Sequence, residues 1–91
     1  MFELLRTPQS ERRLQRFIRL HPNLRPRLAD TLRCLSEDPF QPRLGLHALV
    51  GELEGLYAVR VTFSYRLLIL LDAGRSEITL IDVGSHDDLY S

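Results

Sequence analysis

The hydrophobic period of this chain changes once, and the change divides it into two kinds of structure. Up to about Leu35 apolar residues return every three or four positions, the spacing of a helix face. From Leu56 to Val83 they alternate or run together, the spacing of strands. Projected at about 100° per residue, Leu14, Phe17, Ile18 and His21 share one side of a helix over Ser10–His21, and Arg12, Arg16 and Arg19 share the other. Ser10 is the expected N-cap. His21-Pro22-Asn23 reads as a turn, with Asn23 capping a second helix and Pro26 in its first turn. Leu24, Leu28, Leu32 and Leu35 line that helix on one side, with Arg27, Asp30, Arg33 and Glu37 away from it, and Asp38-Pro39 ends it. The pair makes a helical hairpin.

Before the hairpin, Phe2–Arg6 is a candidate strand, broken by Thr7-Pro8. After it, residues 39–54 are rich in Pro and Gly and read as a loop with an extended piece near Leu49-Val50. Leu56–Phe63 alternates, placing Tyr57, Val59, Val61 and Phe63 on one face and Leu56, Ala58, Arg60 and Thr62 on the other. Tyr65–Leu71 is nearly all apolar, as a central strand covered on both faces would be. A turn at Asp72–Arg75 leads to a last strand, Glu77–Val83. The predicted order is β-α-α-β-β-β. Helices segregated from a run of strands imply an α+β class, a helical hairpin on one face of a small, mainly antiparallel sheet. Ninety-one residues suffice for one domain, residues 1–91, with a limited core whose stability a bound partner would raise.

Several function classes are excluded early. One cysteine, Cys34, permits neither an intramolecular disulfide nor a paired-cysteine zinc site, and it reads as a small helix residue. The segment MFELLRTPQSERR lacks the apolar core of a signal peptide. Leu67–Leu71, the longest uncharged apolar run, is too short to cross a bilayer. The expectation is a soluble, cytoplasmic protein with no membrane partner. No metal motif, glycine-rich phosphate loop or serine nucleophile elbow is present, so no metal or cofactor is expected. Net charge is zero, yet residues 1–46 hold nine arginines against five acids, and residues 47–91 hold three against seven. That argues against an overall basic nucleic-acid binder and permits a local basic face.

The remaining polar residues gather in the β half. Arg60 lies in the first strand of the run, Arg66 opens the next, His86 follows the last, and His47 sits in the preceding loop. The segments Leu49-Val50-Gly51, Gly55-Leu56-Tyr57, Tyr65-Arg66-Leu67 and Gly84-Ser85-His86, with Tyr90 after them, resemble in order and spacing the C-terminal half of RelE/ParE-superfamily toxins, closest to the RelE and YafQ branches. Asp38-Pro39 before the loop also fits.

The resemblance implies a toxin of a type II toxin–antitoxin system. Such a toxin cleaves mRNA, usually on the ribosome, by metal-independent acid–base chemistry, and a cognate antitoxin silences it. His47, His86 and Tyr90 match positions of the YafQ branch, and Arg66 and Arg60 those of the RelE branch. The match is mixed. YafQ-like proteins carry further His and Asp residues where this chain has Ala58, Arg60 and Ser64, and RelE has an arginine at the position of His86.

RNA supplies its own nucleophile, the 2′-hydroxyl. Histidine suits the proton transfers, and arginine binds phosphate while remaining charged. The expected catalytic set is His86 and His47 as acid and base in either order, Arg66 and Arg60 as phosphate clamps, and Tyr90 stacking on a base or positioning the hydroxyl. Arg12, Arg16 and Arg19 would meet the phosphates of ribosomal RNA or mRNA. Each residue also has a structural role open to it. The histidines could be bonded to backbone, the arginines could guard strand edges, and Tyr90 could pin the terminus by packing. His21, on the apolar side of its helix, reads as structural. Two further functions stay open: a ParE-like poison of DNA gyrase, and a degenerate protein that binds only its antitoxin.

Overall fold

The structure is a computed structural model that describes residues 1–90. Strand β1 (Glu3–Arg6) leads into helix α1 (Pro8–Leu20). The helix starts earlier than Ser10, because Pro8 brings a pre-set φ and Thr7 caps the end. The Thr7 hydroxyl accepts from the Ser10 N–H at 3.0 Å, and the Ser10 hydroxyl accepts from the Thr7 N–H at 2.9 Å. Ser10 is therefore the reciprocal partner of a capping box rather than the cap.

A 3₁₀ turn over Pro22–Leu24 enters α2 (Arg25–Glu37). Asn23 lies inside that turn and does not cap α2, whose first turn carries Pro26 as expected. The turn is closed by the Leu24 N–H donating to the His21 carbonyl at 2.9 Å. Asp38 terminates α2. The loop after it holds two 3₁₀ turns, Pro42–Leu44 and Gly51–Leu53, either side of a two-residue strand, β2 (His47–Ala48). The strand begins two residues before Leu49-Val50, and the extended chain continues through them: the Leu49 N–H donates to the Leu56 carbonyl at 3.0 Å, and Val50 is extended at φ −122 and ψ 169. Gly45 ends the first of these turns at φ +59, a left-handed conformation that glycine adopts without strain.

Three strands follow: β3 (Tyr57–Arg60), β4 (Tyr65–Asp72) and β5 (Glu77–Ser85), then a short helix α3 (His86–Tyr90). The sheet order is β1-β5-β4-β3-β2. β1 runs parallel to β5, and every other pairing is antiparallel. The helical hairpin carries the chain from β1, at one edge of the sheet, to β2, at the other, and β5 then returns to lie beside β1. β3 stops at Arg60, short of the expected Phe63. Adjacent antiparallel strands need a turn between them, and a lone Ser64 could not supply one. Residues 61–64 form it, with Val61 and Thr62 N–H groups both donating to the Tyr65 carbonyl.

Helices cover one face of the sheet. Leu14, Phe17, Leu28 and Leu35 pack against Val59, Leu67, Ile69, Ile78 and Leu80, with Cys34 buried among them. His21 lies between the rings of Phe17 and Tyr65, at centroid distances of 4.8 and 4.9 Å. A register shift between Leu68 and Ile69 marks a bulge in the β4–β5 pairing, and Asp82 beside it accepts from Arg13 of α1 at 2.7 Å. The other face is only half covered. Ala58 and Leu68, cross-strand partners there, are buried, whereas Leu70 further along β4 is 44% exposed. The central strand is therefore enclosed on both sides for only part of its length. Among the described residues no helix is long and apolar enough to cross a membrane.

Candidate active site

The second face carries the polar residues that the β half of the sequence nominates. Cross-strand partners in an antiparallel pair share a face. His47 pairs with Ala58, Ala58 with Leu68, and Arg60 with Arg66, so His47, Arg60 and Arg66 all fall on the side away from the helices. At the end of β5, Gly84 pairs with Arg66. There α3 folds back so closely that a Cβ on Gly84 would sit 2.9 Å from the Asp88 Cβ. Only a residue without a side chain leaves room for that return. Ser85 and Asp88 secure it. The Asp88 carboxylate accepts from the Ser85 N–H at 3.1 Å, and the Ser85 hydroxyl accepts from the Asp88 N–H at 3.2 Å. The Ser85 backbone N–H, then its hydroxyl, hold the Asp88 carboxyl below the usual carboxylate range.

That return brings α3 to β2 and the β3–β4 turn. His47, Phe63, Ser64, Arg66, His86 and Tyr90 line one pocket of about 230 Å³. His47, His86 and Tyr90 also line an adjoining, wider cleft of about 580 Å³, whose apolar wall is Leu49, Val50, Leu53 and Leu89. The two histidines, far apart in sequence, thus stand at the junction of two connected spaces.

Their surroundings differ. His47 Nδ1 lies 3.0 Å from the Gly45 carbonyl, which can only accept, so Nδ1 carries the proton and Nε2 of the neutral ring offers a lone pair. The His86 ring meets Tyr90 edge to face at a centroid distance of 4.5 Å, and its Nδ1 lies 3.9 Å from an Asp87 carboxylate oxygen. Its side chain is 81% exposed. Arg66 is half-buried and partly committed. Its Nη1 donates to the carbonyls of Thr62 at 2.7 Å, Phe63 at 3.0 Å and Tyr65 at 3.1 Å, tying down the turn. Nε and Nη2 donate to no described residue, leaving two nitrogens with three N–H groups for an anion.

Four of the five nominated catalytic residues therefore meet: His47, Arg66, His86 and Tyr90. Arg60 does not line either space. Its guanidinium lies over Gly45, within 3.7 to 3.8 Å of where a side chain there would begin, and it makes no ion pair or hydrogen bond among the described residues. Arg12, Arg16 and Arg19 are exposed on α1, as the helix projection requires, and are unpaired among the described residues. Arg16 borders a separate groove between α1 and β5, with Arg13, His21, Asp82 and Asp88. Phe63 is the residue that sequence reasoning misplaced: assigned to a strand, on one face with Tyr57, Val59 and Val61, it stands on the turn at the lip of the pocket, 92% exposed. The requirement for a hairpin turn between two adjacent strands was the signal that could have found it. No three His, Cys, Asp or Glu side chains among the described residues are grouped as a metal-binding set.

No family model and no curated protein matches the chain. Solved structures do. YafQ from E. coli strain BL21(DE3) superposes with a TM-score of 0.81 at 14% identity, over 100% of each chain. In the E. coli DinJ–YafQ complex the TM-score is 0.79, again at 14% identity and over 100% of each chain. The YoeB/ParE toxin from Agrobacterium tumefaciens gives 0.74 at 20% identity, covering 93% of this chain and 99% of that one. At such identities the likeness is one of architecture: this chain shares the fold of YafQ and of the YoeB/ParE toxin.

Proposed function

We propose that the chain is the toxin of a type II toxin–antitoxin pair and that it cleaves mRNA at the His47–His86 pocket by metal-independent acid–base chemistry. The observation that carries this reading is the convergence of His47, Arg66, His86 and Tyr90, from three separate segments, on one pocket. The shared fold with YafQ supports the toxin role, and the DinJ–YafQ complex supports an antitoxin partner.

In the reaction, His47 Nε2 takes the proton of the RNA 2′-hydroxyl, and the oxygen attacks the adjacent phosphorus. Arg66, through Nε and Nη2, neutralises the charge that develops on the phosphate oxygens. Protonated His86 gives its proton to the departing 5′-oxygen, leaving a 2′,3′-cyclic phosphate on one fragment and a 5′-hydroxyl on the other. The hydrogen bond from His47 Nδ1 to Gly45 favours His47 as the base, because it keeps the lone pair on the nitrogen facing away from the backbone. Arg60, on the same face, binds a phosphate of the RNA further along, and the α1 arginines, on the helix side, meet phosphates of ribosomal RNA.

Controlled expression of the protein without an antitoxin, followed by growth and by primer extension on abundant mRNAs, tests the reading. Growth arrest with discrete new mRNA ends is expected. Arrest without new ends contradicts the nuclease reading and points to a target such as gyrase. One observation favours a second reading, a degenerate toxin fold that only binds its antitoxin: Arg66 spends Nη1 on three turn carbonyls, the behaviour of a structural residue. That reading expects no arrest at all from a soluble, folded protein.

A further inference from the structure

We infer that Phe63 is a stacking platform for a base of the RNA substrate, next to the scissile phosphate. The inference rests on the nuclease reading above. Phe63 is 92% exposed, so its ring contributes nothing to the core. Single exposed apolar rings are common on protein surfaces; what sets this one apart is its place at the lip of the pocket that holds His47, Arg66 and His86. Its backbone, by contrast, is fixed. Arg66 Nη1 bonds the carbonyls of Thr62 and Phe63, and the Thr62 hydroxyl accepts from the N–H groups of Ser64 and Tyr65, each at 3.2 Å. The backbone that carries the ring is therefore held in place before any ligand arrives.

The surroundings decide the class of ligand. Phe63 shares its pocket with His47, Ser64, Arg66, His86 and Tyr90, so a guanidinium, two imidazoles, a hydroxyl and a second aromatic ring stand beside it. A nucleotide needs one aromatic face for its base and one cation for its phosphate, and this is what Phe63 and Arg66 present. The same guanidinium fixes the turn under the ring and offers Nε and Nη2 towards the pocket, so base and phosphate would be gripped by two parts of one rigid unit. Because every base has a π-face, the contact adds affinity for single-stranded RNA without choosing its sequence, and purines stack on it better than pyrimidines.

The test uses two readouts and two variants, Phe63→Ala and Phe63→Trp. The first is cleavage of an mRNA on programmed ribosomes. The second is quenching of 2-aminopurine placed at successive positions of a single-stranded 2′-O-methyl RNA, which lacks the free hydroxyl and cannot be cut. Loss of the ring is expected to lower kcat/KM by about tenfold to a hundredfold, the range for one base–aromatic stack, and to abolish quenching at one position. Phe63→Trp should restore both. The ring is exposed, so both variants should melt like the parent protein. Phe63→Ala cleaving within about threefold of the parent, with quenching intact, would overturn the inference and leave Phe63 to a protein contact. If the parent protein cuts no RNA, the nuclease reading fails. Quenching alone then decides, and its absence also overturns the inference.

Discussion

The two faces of the sheet are built on opposite principles. On the helix side Leu67, Ile69, Ile78 and Leu80 are completely buried, and none of the buried side-chain polar atoms of the described residues lacks a partner. On the other side, at the end where β2 and α3 meet, the side chains are charged, aromatic or ring nitrogens, and most are exposed. The first face gains free energy from dry packing, roughly 1.5 to 3 kcal/mol for each large apolar side chain removed from water. The second face gives up that gain and commits only part of its donors and acceptors, His47 through Nδ1 and Arg66 through Nη1. In a small domain the separation lets a site vary without threatening the fold.

Variants that break one face and spare the other test the separation. Leu67→Ala, in the middle of the central strand, should cost about 2 to 5 kcal/mol in denaturant unfolding, with Phe63, His47 and His86 untouched. Gly84→Val is the place where the two faces couple. Its side chain would collide with the Asp88 Cβ, so α3 must shift; a loss of about 1 to 3 kcal/mol is expected, together with loss of the His86–Tyr90 wall of the cleft. A variant as stable as the parent and equally active would show that α3 adjusts freely. Thr7→Ala removes the cap of α1, far from the site, and should lower stability by about 1 kcal/mol without changing activity.

The smallest effect expected is on pH. The Asp88 carboxyl titrates below its unfolded value because the Ser85 N–H and hydroxyl favour its charged form, while His21 and Arg16 add weaker attraction. Its contribution to stability is therefore complete above the ordinary carboxylate range and fades as pH falls through the depressed folded value. Asp88→Asn should remove that part of the acid sensitivity. Unchanged acid unfolding would mean the cap at Ser85 contributes nothing.

How much of this was legible in the sequence depends on the range of the interactions. The two helices follow from i, i+3, i+4 spacing alone, and their apolar faces are those observed. The run of β-structure was equally plain. The partnership of β1 with β5, some seventy residues apart, leaves no local mark, since a parallel neighbour is chosen by packing rather than by a turn. Local errors had local causes. Ser10 and Asn23 are good capping types in positions where Thr7 and a 3₁₀ turn had already satisfied the helix ends. Alternation carried β3 on to Phe63 because Thr62 and Phe63 continue the pattern that the hairpin interrupts.

In the site, His47, Arg66, His86 and Tyr90 could each be nominated from residue type and motif order. Their meeting could not, because it depends on Gly84 allowing α3 to return and on a two-residue strand that no periodicity announces. Arg60 was nominated on the same grounds as Arg66, yet its guanidinium lies over Gly45, outside the pocket lining.

The central claim is that His86 acts on RNA and does not hold the fold. The direct measurement is the rate of mRNA cleavage by His86→Ala on programmed ribosomes, paired with its unfolding free energy. The account predicts cleavage reduced by at least about a hundredfold, the scale of general acid–base catalysis, with stability within about 0.5 kcal/mol of the parent. Cleavage within about tenfold of the parent would contradict it and remove His86 from the chemistry.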